Sequence, residues 1–273
     1  MTIKNVLSIA GTDPTGGAGI HADLKAFSAR GTYGMAAITA VVAQNTRGVR
    51  SFMPLDPSFV GEQIDAVFDD VRVDAVKIGM VANAAIAEVI AEVIAERLQY
   101  HEAETVVLDP VMVAKSGDRL LDDDAVAAIR DTLVPLATII TPNLPEAAVL
   151  LDTTDVTRLG QMEDQATGLR GLGCQWALLK GGHLTNETVS VDYLAGPDGI
   201  STYTSPRIET LNDHGTGCTL SSAITALLPD HTVPESVERA KTYLHGALVA
   251  SDRLDVGQGH GPLHHFHQLW PRG

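Results

Sequence analysis

Hydrophobic positions follow two patterns that alternate over most of the chain. Short, continuous apolar runs are typical of strands buried on both faces, and apolar residues every three to four positions are typical of helices. Runs of the first kind predict strands at 6–10, 35–43, 74–79, 105–109, 137–141 and 176–180. Segments of the second kind predict helices at 19–29, 57–71, 84–98, 123–133, 145–151, 162–172, 222–228 and 235–253.

This order of elements predicts the α/β class. Alternating strands and helices imply βαβ units, and hence a mostly parallel central sheet with helices on both faces. Two further strands, 189–194 and 199–205, are separated by Gly196-Pro197-Asp198, which predicts an antiparallel hairpin. No repeat, low-complexity linker or change of composition marks a boundary, so we expect one domain over residues 1–273.

Polar and glycine residues follow the predicted strands where these end. In open parallel sheets, ligands bind outside the carboxyl ends of the strands. The clusters are Gly11-Thr12-Asp13, Gln44-Asn45, Gly79-Met80, Asp109-Pro110, Pro142-Asn143 and Gly181-Gly182. Since these ends meet at one edge of the predicted sheet, the sequence predicts an active site there.

The composition narrows the class of protein. A chain of 273 residues with 45% hydrophobic residues can bury a sizeable core. We find no apolar run of membrane-spanning length, and the first residues lack the layout of a signal peptide. Cys174 and Cys218 make no disulfide framework, so a reducing cytoplasm is the simplest location.

The net charge of −15 argues against a general nucleic-acid binder, which needs a basic surface. It also poses a difficulty for an enzyme with an anionic substrate, because lysine is scarce. The lysines are Lys4, Lys25, Lys77, Lys115, Lys180 and Lys241. Local positive groups and backbone amides must therefore hold any anion. Adaptation to salt and an ordinary acidic protein both explain the composition.

The most informative segment is 212–223, which carries Gly215 and Gly217 and continues into the apolar helical run 220–228. Glycine allows a sharp turn and a close approach of the backbone to a ligand. The amides that open a helix have no partner within it, and the helix dipole adds partial positive charge. Such a turn suits a phosphate whose charge is changing. The alternative is a glycine-rich helix start that binds nothing.

A second glycine-rich loop, 11–19, follows the first predicted strand and opens a helix. It begins with the spacing of a P-loop, but Gly17 and Ala18 stand where that motif requires a lysine and a hydroxyl residue. The fingerprint Gly-x-Gly-x-x-Gly is also missing, which disfavours an NAD-dependent oxidoreductase. The loop is either a flexible turn around a small ligand, with Asp23 one helical turn inside, or a plain connection with Asp23 exposed.

Asn143 and Glu146 stand three residues apart, where a strand ends and a helix begins. Hard oxygen atoms of this kind suit Mg²⁺ bound through water. The same spacing is that of an N-cap and its capping-box partner, which is favoured for the motif taken alone. Asp109 is a second metal carboxylate or a buried turn acceptor, and Lys180 either meets a phosphate or caps the sheet edge. The loop 115–117 is similar in composition to that around Lys180.

Two other groups of residues favour structural roles. His264, His265 and His267 resemble a metal cluster, but the two adjacent histidines point to different faces and no carboxylate or cysteine lies at ligand spacing. Cys174 lies beside Trp176 in an apolar strand, which favours an inert buried thiol.

Five motifs, taken in order, resemble one family. They are 9–25, Asp109-Pro110-Val111-Met112, Thr141-Pro142-Asn143-Leu144-Pro145-Glu146, Lys180-Gly181-Gly182-His183 and His214-Gly215-Thr216-Gly217-Cys218-Thr219-Leu220-Ser221. These motifs are similar to the signatures of the hydroxymethylpyrimidine/phosphomethylpyrimidine kinases of thiamine biosynthesis, which have the ribokinase-like superfold. The resemblance covers essentially the whole chain. It departs at His21, where the family usually has glutamine, and we expect little effect from this helix-surface change.

The resemblance implies a three-layer α/β/α kinase with small flap segments over the active site. It implies ATP- and Mg²⁺-dependent phosphorylation of 4-amino-5-hydroxymethyl-2-methylpyrimidine and, in many members, of the monophosphate. By this resemblance Gln44 reads the pyrimidine, and Gly11, Asp23 and Met80 line the same pocket. A glutamine amide has a donor and acceptors, which suits an aminopyrimidine edge. The alternative for Gln44 is a surface turn residue.

On the phosphate side, the resemblance implies an anion hole. The anion hole consists of Gly215, Thr216, Gly217 and Cys218, and Lys180 assists the phosphates. The residues that the resemblance implies for nucleotide binding are Asn143, Glu146, Lys180 and Gly182. Asp109 and Glu146 are implied to hold Mg²⁺ through water. Cys218 faces the substrate hydroxymethyl where most sugar kinases of this superfold carry an aspartate base. An ordinary thiol titrates near pH ~8.5 and a helix N-terminus lowers that value, so Cys218 can act as the base. Phosphoryl transfer depends mostly on positioning, however, and Asp213 is an alternative polar group.

We also expect parts of the chain to close over the bound nucleotide, and we expect particular binding partners. A flap near 35–48 and loops such as 115–117 close over the nucleotide and exclude water. The family suggests a homodimer that binds a small-molecule pyrimidine, and the composition favours a cytoplasmic protein with no nucleic-acid or membrane partner. A pyridoxal or dual-specificity kinase is the nearest rival, since both substrates are heteroaromatic rings with a hydroxymethyl group. A catalytically silent pyrimidine-binding module is a rival of another class, and Lys180, Asn143 and Glu146 argue against it.

Overall fold

The structure, a computed structural model, describes residues 2–112, 121–154, 158–182, 184 and 188–271. Its strands are β1 (Asn5–Ala10), β2 (Tyr33–Ile38), β3 (Ala40–Asn45), β4 (Gly48–Pro54), β5 (Ala75–Ile78), β6 (Val106–Leu108), β7 (Ile139–Ile140), β8 (Trp176–Lys180), β9 (Val189–Gly196) and β10 (Gly199–Pro206). Its α-helices are α1 (Gly19–Ala29), α2 (Pro57–Phe68), α3 (Ala84–Gln99), α4 (Asp123–Ala128), α5 (Leu144–Leu151), α6 (Met162–Arg170), α7 (Thr216–Leu227) and α8 (Val233–Val249).

Eight of the described strands form one sheet, in the order β10-β9-β8-β7-β6-β5-β1-β2. The strands from β2 to β8 in this order run parallel, because helices connect them across the faces. β9 and β10 pair antiparallel at one edge, as the predicted hairpin. The predicted mostly parallel α/β sheet is therefore confirmed.

Helices cover both faces of this sheet. Within β6, Val107 packs with Ile224 of α7 and Tyr243 of α8, whereas the next residue, Leu108, belongs to a second apolar cluster that includes Ile90 of α3. Neighbouring strand residues point to opposite faces, so a continuous apolar strand needs a helical layer on each side. Helices α1, α7 and α8 form one layer and α2 to α6 form the other, which gives three layers, α/β/α.

The predicted strand 35–43 is wrong in its extent. The structure divides it at Thr39, whose N–H donates to the Ala10 carbonyl over 3.1 Å and whose hydroxyl donates to the Met80 carbonyl over 2.6 Å. These bonds turn the chain out of the sheet, and β3 then pairs with β4 in a separate two-stranded ribbon, 40–54, here called the flap. Apolar periodicity contains no information on the partners of Thr39, so the break could not be predicted.

The predicted helices 57–71, 162–172 and 235–253 are observed with ends shifted by two to four residues, and two other predicted helices differ more. In place of 222–228, α7 begins at Thr216, because Gly215 has φ +81° and turns the chain into the helix earlier. In place of one helix over 123–133, α4 ends early and a π-helical turn, Ile129–Leu133, follows it. No helix in the described part of the chain is long and apolar enough to span a membrane.

A buried ion pair lies between the sheet and the layer formed by α1, α7 and α8. Lys77 of β5 and Asp23 of α1 are both fully buried, and the Lys77 ammonium donates to both carboxylate oxygens of Asp23 over 2.9 Å. The same carboxylate accepts hydrogen bonds of 2.6 Å from Ser8 of β1 and from Ser222 of α7. One carboxylate thus ties together two strands and two helices.

We predict that Lys77→Met destabilises the fold by about 3–5 kcal/mol, because it leaves the Asp23 carboxylate buried without a counter-charge. Adding Asp23→Asn removes that charge and restores part of the loss. The measurement is the free energy of unfolding in urea. The matched control is Lys4→Met, since the ion pairs of Lys4 lie near the surface and such pairs contribute about 0–1 kcal/mol. An equal loss in the two single variants would contradict the prediction.

Candidate active site

A cavity of about 720 Å³ lies outside the carboxyl ends of the parallel strands. Each strand contributes the residue or loop that follows it: Gly11 after β1, Met80 after β5, Asp109 after β6, Asn143 after β7 and Gly182 after β8. The predicted convergence of these polar and glycine clusters at one edge of the sheet is therefore confirmed.

The N-terminus of α7 opens into this cavity without a side-chain cap. The first amides of α5 and α8 are bonded by Asn143 and Thr232, but the N-cap of α7 is Gly215, which has no side chain to offer. The amides of Gly217 and Cys218 lie in the first turn, where no intrahelical acceptor exists. Together with the helix dipole, they suit an anion that comes from outside the fold.

The two glycine-rich loops lie in direct backbone contact. A Cβ atom on Gly215 would overlap the carbonyl oxygen of Gly17, and a Cβ on Gly17 would lie 2.6 Å from the His214 ring. Gly215 has φ +81°, and at such a backbone only glycine permits this close approach. The loop 11–19 and the loop before α7, which we call the anion loop (213–218), therefore form one wall of the cavity.

Asp13 holds this wall together. Its carboxylate accepts hydrogen bonds from the amides of Thr15, Gly17 and Ala18 over 2.8–3.1 Å, and His214 Nε2 lies 2.7 Å away. Burial opposes ionisation of Asp13, but hydrogen bonds from His214, Gln44 and Thr15 outweigh it and hold the pKa of this carboxyl well below its usual value. Asp13 thus remains a carboxylate that clamps one loop to the other.

Sequence reasoning missed the roles of Asp13 and His214. The Asp-Pro-Thr-Gly stretch signals an Asx turn, but the histidine partner lies 201 positions away in the sequence. His21 was expected to be a surface change with little effect. In the structure its Nδ1 accepts the amide of Asp13 over 3.1 Å, so it supports the same loop.

A row of charged groups faces the anion loop. Lys180 donates to Asp109 over 3.1 Å, and Asp109 also accepts from Thr141 over 3.2 Å and from Ser221 over 3.0 Å. Burial opposes ionisation of Asp109, but Lys180, Lys77 and the hydrogen bonds outweigh it and lower its pKa. A Cβ on Gly217 would lie 3.2 Å from Lys180 Nζ, so the ammonium lies beside the first turn of α7.

Asn143 and Glu146 form the capping box that their spacing predicts. The Asn143 side chain accepts the Glu146 amide over 2.9 Å, and the Glu146 carboxylate accepts the Asn143 amide over 2.7 Å. Both residues also line the cavity, so a structural role and a ligand role are compatible. Burial raises the pKa of Glu146 to about 7, Lys180 opposes this rise, and the nearby charge of Asp109 adds to it.

These residues fit a magnesium ion that comes bound to phosphate. Asp109 and Glu146 are close enough for each charge to disfavour the other, and a divalent cation relieves that repulsion. Among the described residues, no three His, Cys, Asp or Glu side chains are arranged to hold a metal directly. Mg²⁺ typically keeps several waters and one or two carboxylates, so this donor set suits an ion held mainly by water and phosphate.

Cys218 lies in the first turn of α7 and lines the cavity. We expected the helix N-terminus to lower its pKa. The structure gives the opposite direction: burial raises the pKa of the Cys218 thiol to about 11, although Lys77 acts to lower it. The expected base is thus a neutral thiol at pH 7 in the protein without ligands.

Asp23 lies beneath the cavity and does not line it. Its carboxylate is fully buried and is bonded to Lys77, whereas Lys77 itself reaches the cavity wall beside Gly79. Any effect of Asp23 on a ligand is therefore indirect, through Lys77 or through its charge on Cys218. A lysine within the apolar strand Ala75–Ile78 is the sequence signal that could have pointed to this residue.

The flap also lines the cavity and is bonded to the loop 11–19. Gln44 lies half-buried in β3 at a break in the pairing register between Ala43 and Gln44, and a bulge of this kind re-aims a side chain. Gly11 and Met80 lie in contact across the cavity floor, where a Cβ on Gly11 would lie 3.0 Å from Met80 Cε. The flap predicted near 35–48 thus lies at 40–54, and it does carry Gln44.

Some sequence candidates lie elsewhere. The loop 115–117 and His183 are outside the described residues. His265 hydrogen-bonds Thr219, whereas His264 packs against the ring of Trp270. Burial raises the pKa of the Cys174 thiol to about 12, and its sulfur lies against the Leu169 carbonyl.

Phosphoryl transfer is the chemistry that this cavity serves, because it needs positioning and charge stabilisation more than covalent help from the protein. In a three-layer α/β/α fold with this strand order, such a cavity is typical of kinases of the ribokinase-like class.

Comparisons with known proteins agree with this class and narrow it. The family model described as phosphomethylpyrimidine kinase matches residues 13–264. The hydroxymethylpyrimidine/phosphomethylpyrimidine kinase of Escherichia coli (strain K12) is 54% identical over 267 residues, which are 97% of this chain and 98% of the relative. The chain therefore belongs to the phosphomethylpyrimidine kinase family.

Two solved structures are similar in fold. Phosphomethylpyrimidine kinase from Clostridium difficile 630 has a TM-score of 0.77 at 42% identity, covering 89% of this chain and 99% of that one. Pyridoxal kinase from Staphylococcus aureus, in complex with AMP-PCP and pyridoxal, has a TM-score of 0.88 at 30% identity, covering 98% and 96%. The fold is thus shared between kinases of two different ring substrates.

We predict that Cys218 is alkylated slowly at neutral pH. A thiol with a pKa of about 11 is about 300-fold less ionised at pH 7.5 than an ordinary thiol, and only the thiolate reacts. The measurement is the rate of iodoacetamide labelling of Cys218 against pH in a Cys174→Ala background, with a free cysteine peptide as the control. The rate should still rise about tenfold per pH unit between pH ~9 and ~10. A rate that is half-maximal near pH ~8.5 and nearly constant above pH ~9.5 would contradict the raised pKa.

Proposed function

We propose that the protein transfers the γ-phosphoryl group of ATP to 4-amino-5-hydroxymethyl-2-methylpyrimidine and then to the monophosphate, in thiamine biosynthesis. The observation that carries the proposal is the uncapped N-terminus of α7, which lies beside Lys180 and lines the same cavity as Gln44. The name of the 54% identical Escherichia coli relative supports this pair of acceptors.

On the phosphate side, the proposed roles follow from charge. The amides of Gly217 and Cys218 in the first turn of α7 gather the charge that develops on the transferring group, and Lys180 adds a fixed positive charge beside them. Asn143, Glu146 and Gly182 form the nucleotide side of the cavity.

The complex of the Staphylococcus aureus neighbour with AMP-PCP supports ATP as the donor. Asp109 and Glu146 would hold Mg²⁺ through water, and the ion would neutralise phosphate charge when bound.

On the acceptor side, Gln44 offers a donor and an acceptor to the aminopyrimidine edge, and Gly11 and Met80 form an apolar floor under the ring. Asp23 acts from beneath, by fixing the Lys77 ammonium near the acceptor.

Cys218 is proposed to orient the acceptor as a neutral thiol. With its pKa raised to about 11, the thiol is a poor proton acceptor at pH 7. A strong base is unnecessary for the hydroxymethyl group, because little proton removal is needed in a loose transition state. In the second step the acceptor is a phosphate oxygen that is already ionised, so no proton has to be removed.

A pyridoxal kinase is the second candidate. The Staphylococcus aureus neighbour binds pyridoxal on a fold with a TM-score of 0.88, so the fold alone does not separate the two rings. Gln44 favours the pyrimidine, since its amide matches a ring nitrogen next to an amino group.

The assay that tests the function is turnover with ATP and Mg²⁺, with product masses recorded. Hydroxymethylpyrimidine, its monophosphate and pyridoxal are compared as acceptors. We expect the monophosphate and then the diphosphate of the pyrimidine. Turnover of pyridoxal alone would assign the second candidate. Pyrimidine binding without transfer to any acceptor would indicate a silent binding module.

We predict that Gly217→Ala lowers kcat about 10- to 100-fold and leaves pyrimidine affinity nearly unchanged. The added methyl would lie 3.2 Å from Lys180 Nζ and crowd the position of the transferring group, and small displacements there cost large factors in rate. Steady-state kinetics and calorimetric binding of the pyrimidine measure the two effects. The control is Gly160→Ala, where a Cβ meets nothing within 4 Å. Equal kcat values in the two variants would refute the anion-hole assignment.

We further propose that the protein is a cytoplasmic homodimer. Tyr33 of β2 and Met53 of the flap are 62% and 69% exposed, and apolar side chains on one edge of a fold support an interface there. Light scattering of the purified protein tests this assembly: a dimer mass agrees with it and a monomer mass does not.

A further inference from the structure

The flap needs support that its own strands do not provide. β3 and β4 form a two-stranded sheet separate from the main one, and such ribbons are marginally stable alone. At its base, the Val42 amide donates to the Thr12 hydroxyl over 2.9 Å, which fixes the flap to the loop 11–19. Nearer the tip, the Gln44 side chain bonds Asp13 of the same loop. The tip itself, Asn45-Thr46-Arg47, extends beyond both of these contacts.

A segment near the carboxyl end of the chain holds this tip. Residues 257–262, here called the strap, run beside Thr46. The His260 amide donates to the Thr46 carbonyl over 2.8 Å, and the Gly259 amide donates to the Thr46 hydroxyl over 3.1 Å. A Cβ on Gly257, which has φ +75°, would overlap the Thr46 side chain, so glycine is needed for this contact.

The same segment is bonded to the anion loop. The His214 amide donates to the Gly261 carbonyl over 3.0 Å, and His214 pairs with Pro262 in a parallel bridge. The ring of His260 also lies with Nδ1 2.7 Å from an Asp213 carboxylate oxygen. The strap therefore contacts the flap on one side and the anion loop on the other.

These contacts lie close to the proposed binding groups in sequence. Thr46 lies two residues after Gln44, and Asp213 lies two residues before Gly215. All four residues, and His260 itself, line the cavity. Together with the bonds of Asp13 to Gln44 and His214, the strap thus helps to fix the distance between the group that would read the ring and the amides that would receive the phosphoryl group.

We propose that His260 is a positioning residue for the pyrimidine acceptor, because it links the flap tip to the anion loop through the strap. The inference rests on the proposed function for the identity of the acceptor. The strap has no such contact with Asn143 or Gly182 on the nucleotide side of the cavity, so the KM for the pyrimidine should rise more than the KM for ATP. The His260 side chain is 47% exposed, and its removal should not unfold the protein.

The test is steady-state kinetics of His260→Ala with the pyrimidine and with ATP varied in turn. Loss of one hydrogen bond to a charged partner should raise the KM for the pyrimidine about 5- to 20-fold, with the KM for ATP and the urea midpoint nearly unchanged. His260→Asn keeps a donor near Asp213 and should recover much of the effect. The control is His231→Ala, a partly exposed histidine that precedes α8.

A second variant tests the contact between the strap and the flap tip. Thr46→Val keeps the shape of the side chain and removes the acceptor for the Gly259 amide, so it should also raise the pyrimidine KM. Because His260 and Thr46 act through one segment, the combined variant should show less than the product of the two single effects. Multiplicative effects would indicate two independent contacts and would count against the strap.

The proposed function and the proposed positioning role of His260 can be disproved separately. If the wild-type protein transfers no phosphate, the function is wrong, and the dissociation constant of the pyrimidine then replaces KM in the same comparison. If wild-type turnover is normal and His260→Ala has an unchanged pyrimidine KM, the positioning role is wrong. An equal rise in the KM values of pyrimidine and ATP would also overturn it.

Discussion

The backbone contact between Gly17 and Gly215 is the constraint on which the site depends. It brings a loop that follows β1 against the loop that opens α7, although almost two hundred residues separate them. Asp13 secures the contact by accepting loop amides and bonding His214. Without it, the uncapped amides of α7 and the residues around Gly11 would belong to two separate surfaces.

Charge placement explains how an acidic chain can bind anions. The net charge is −15, yet Lys77, Lys180 and Lys241 all line the cavity. Each is buried or nearly so, and each is paired with an aspartate: Asp23, Asp109 and Asp192 respectively. Pairing lowers the cost of burying a lysine, and the low dielectric strengthens its field in the cavity. Three of the six lysines thus lie where a phosphate would bind.

Much of the fold could be predicted because burial on both faces leaves a strong pattern. The strand Trp176–Lys180 and the helix Gly19–Ala29 were predicted with their observed bounds. Thr39 could not be predicted as a break, since its effect depends on the carbonyls of Ala10 and Met80.

In the candidate site, too, local features could be predicted from the sequence and long-range contacts could not. Glycine spacing and strand ends identified the anion loop and the charged groups, which are local features of the sequence. The Asp13–His214 bond, the strap and the raised pKa of Cys218 depend on distant residues and on burial. Local rules gave the wrong direction for Cys218 because the helix dipole was considered without desolvation.

The central claim is that the first turn of α7 receives the charge of the transferring phosphoryl group. A crystal structure with ADP, Mg²⁺, fluoroaluminate and hydroxymethylpyrimidine tests it most directly. We expect the planar fluoroaluminate within hydrogen-bond distance of the Gly217 and Cys218 amides and of Lys180 Nζ, with the hydroxymethyl oxygen in line. Fluoroaluminate bound away from α7, with those amides facing only solvent, would contradict the account.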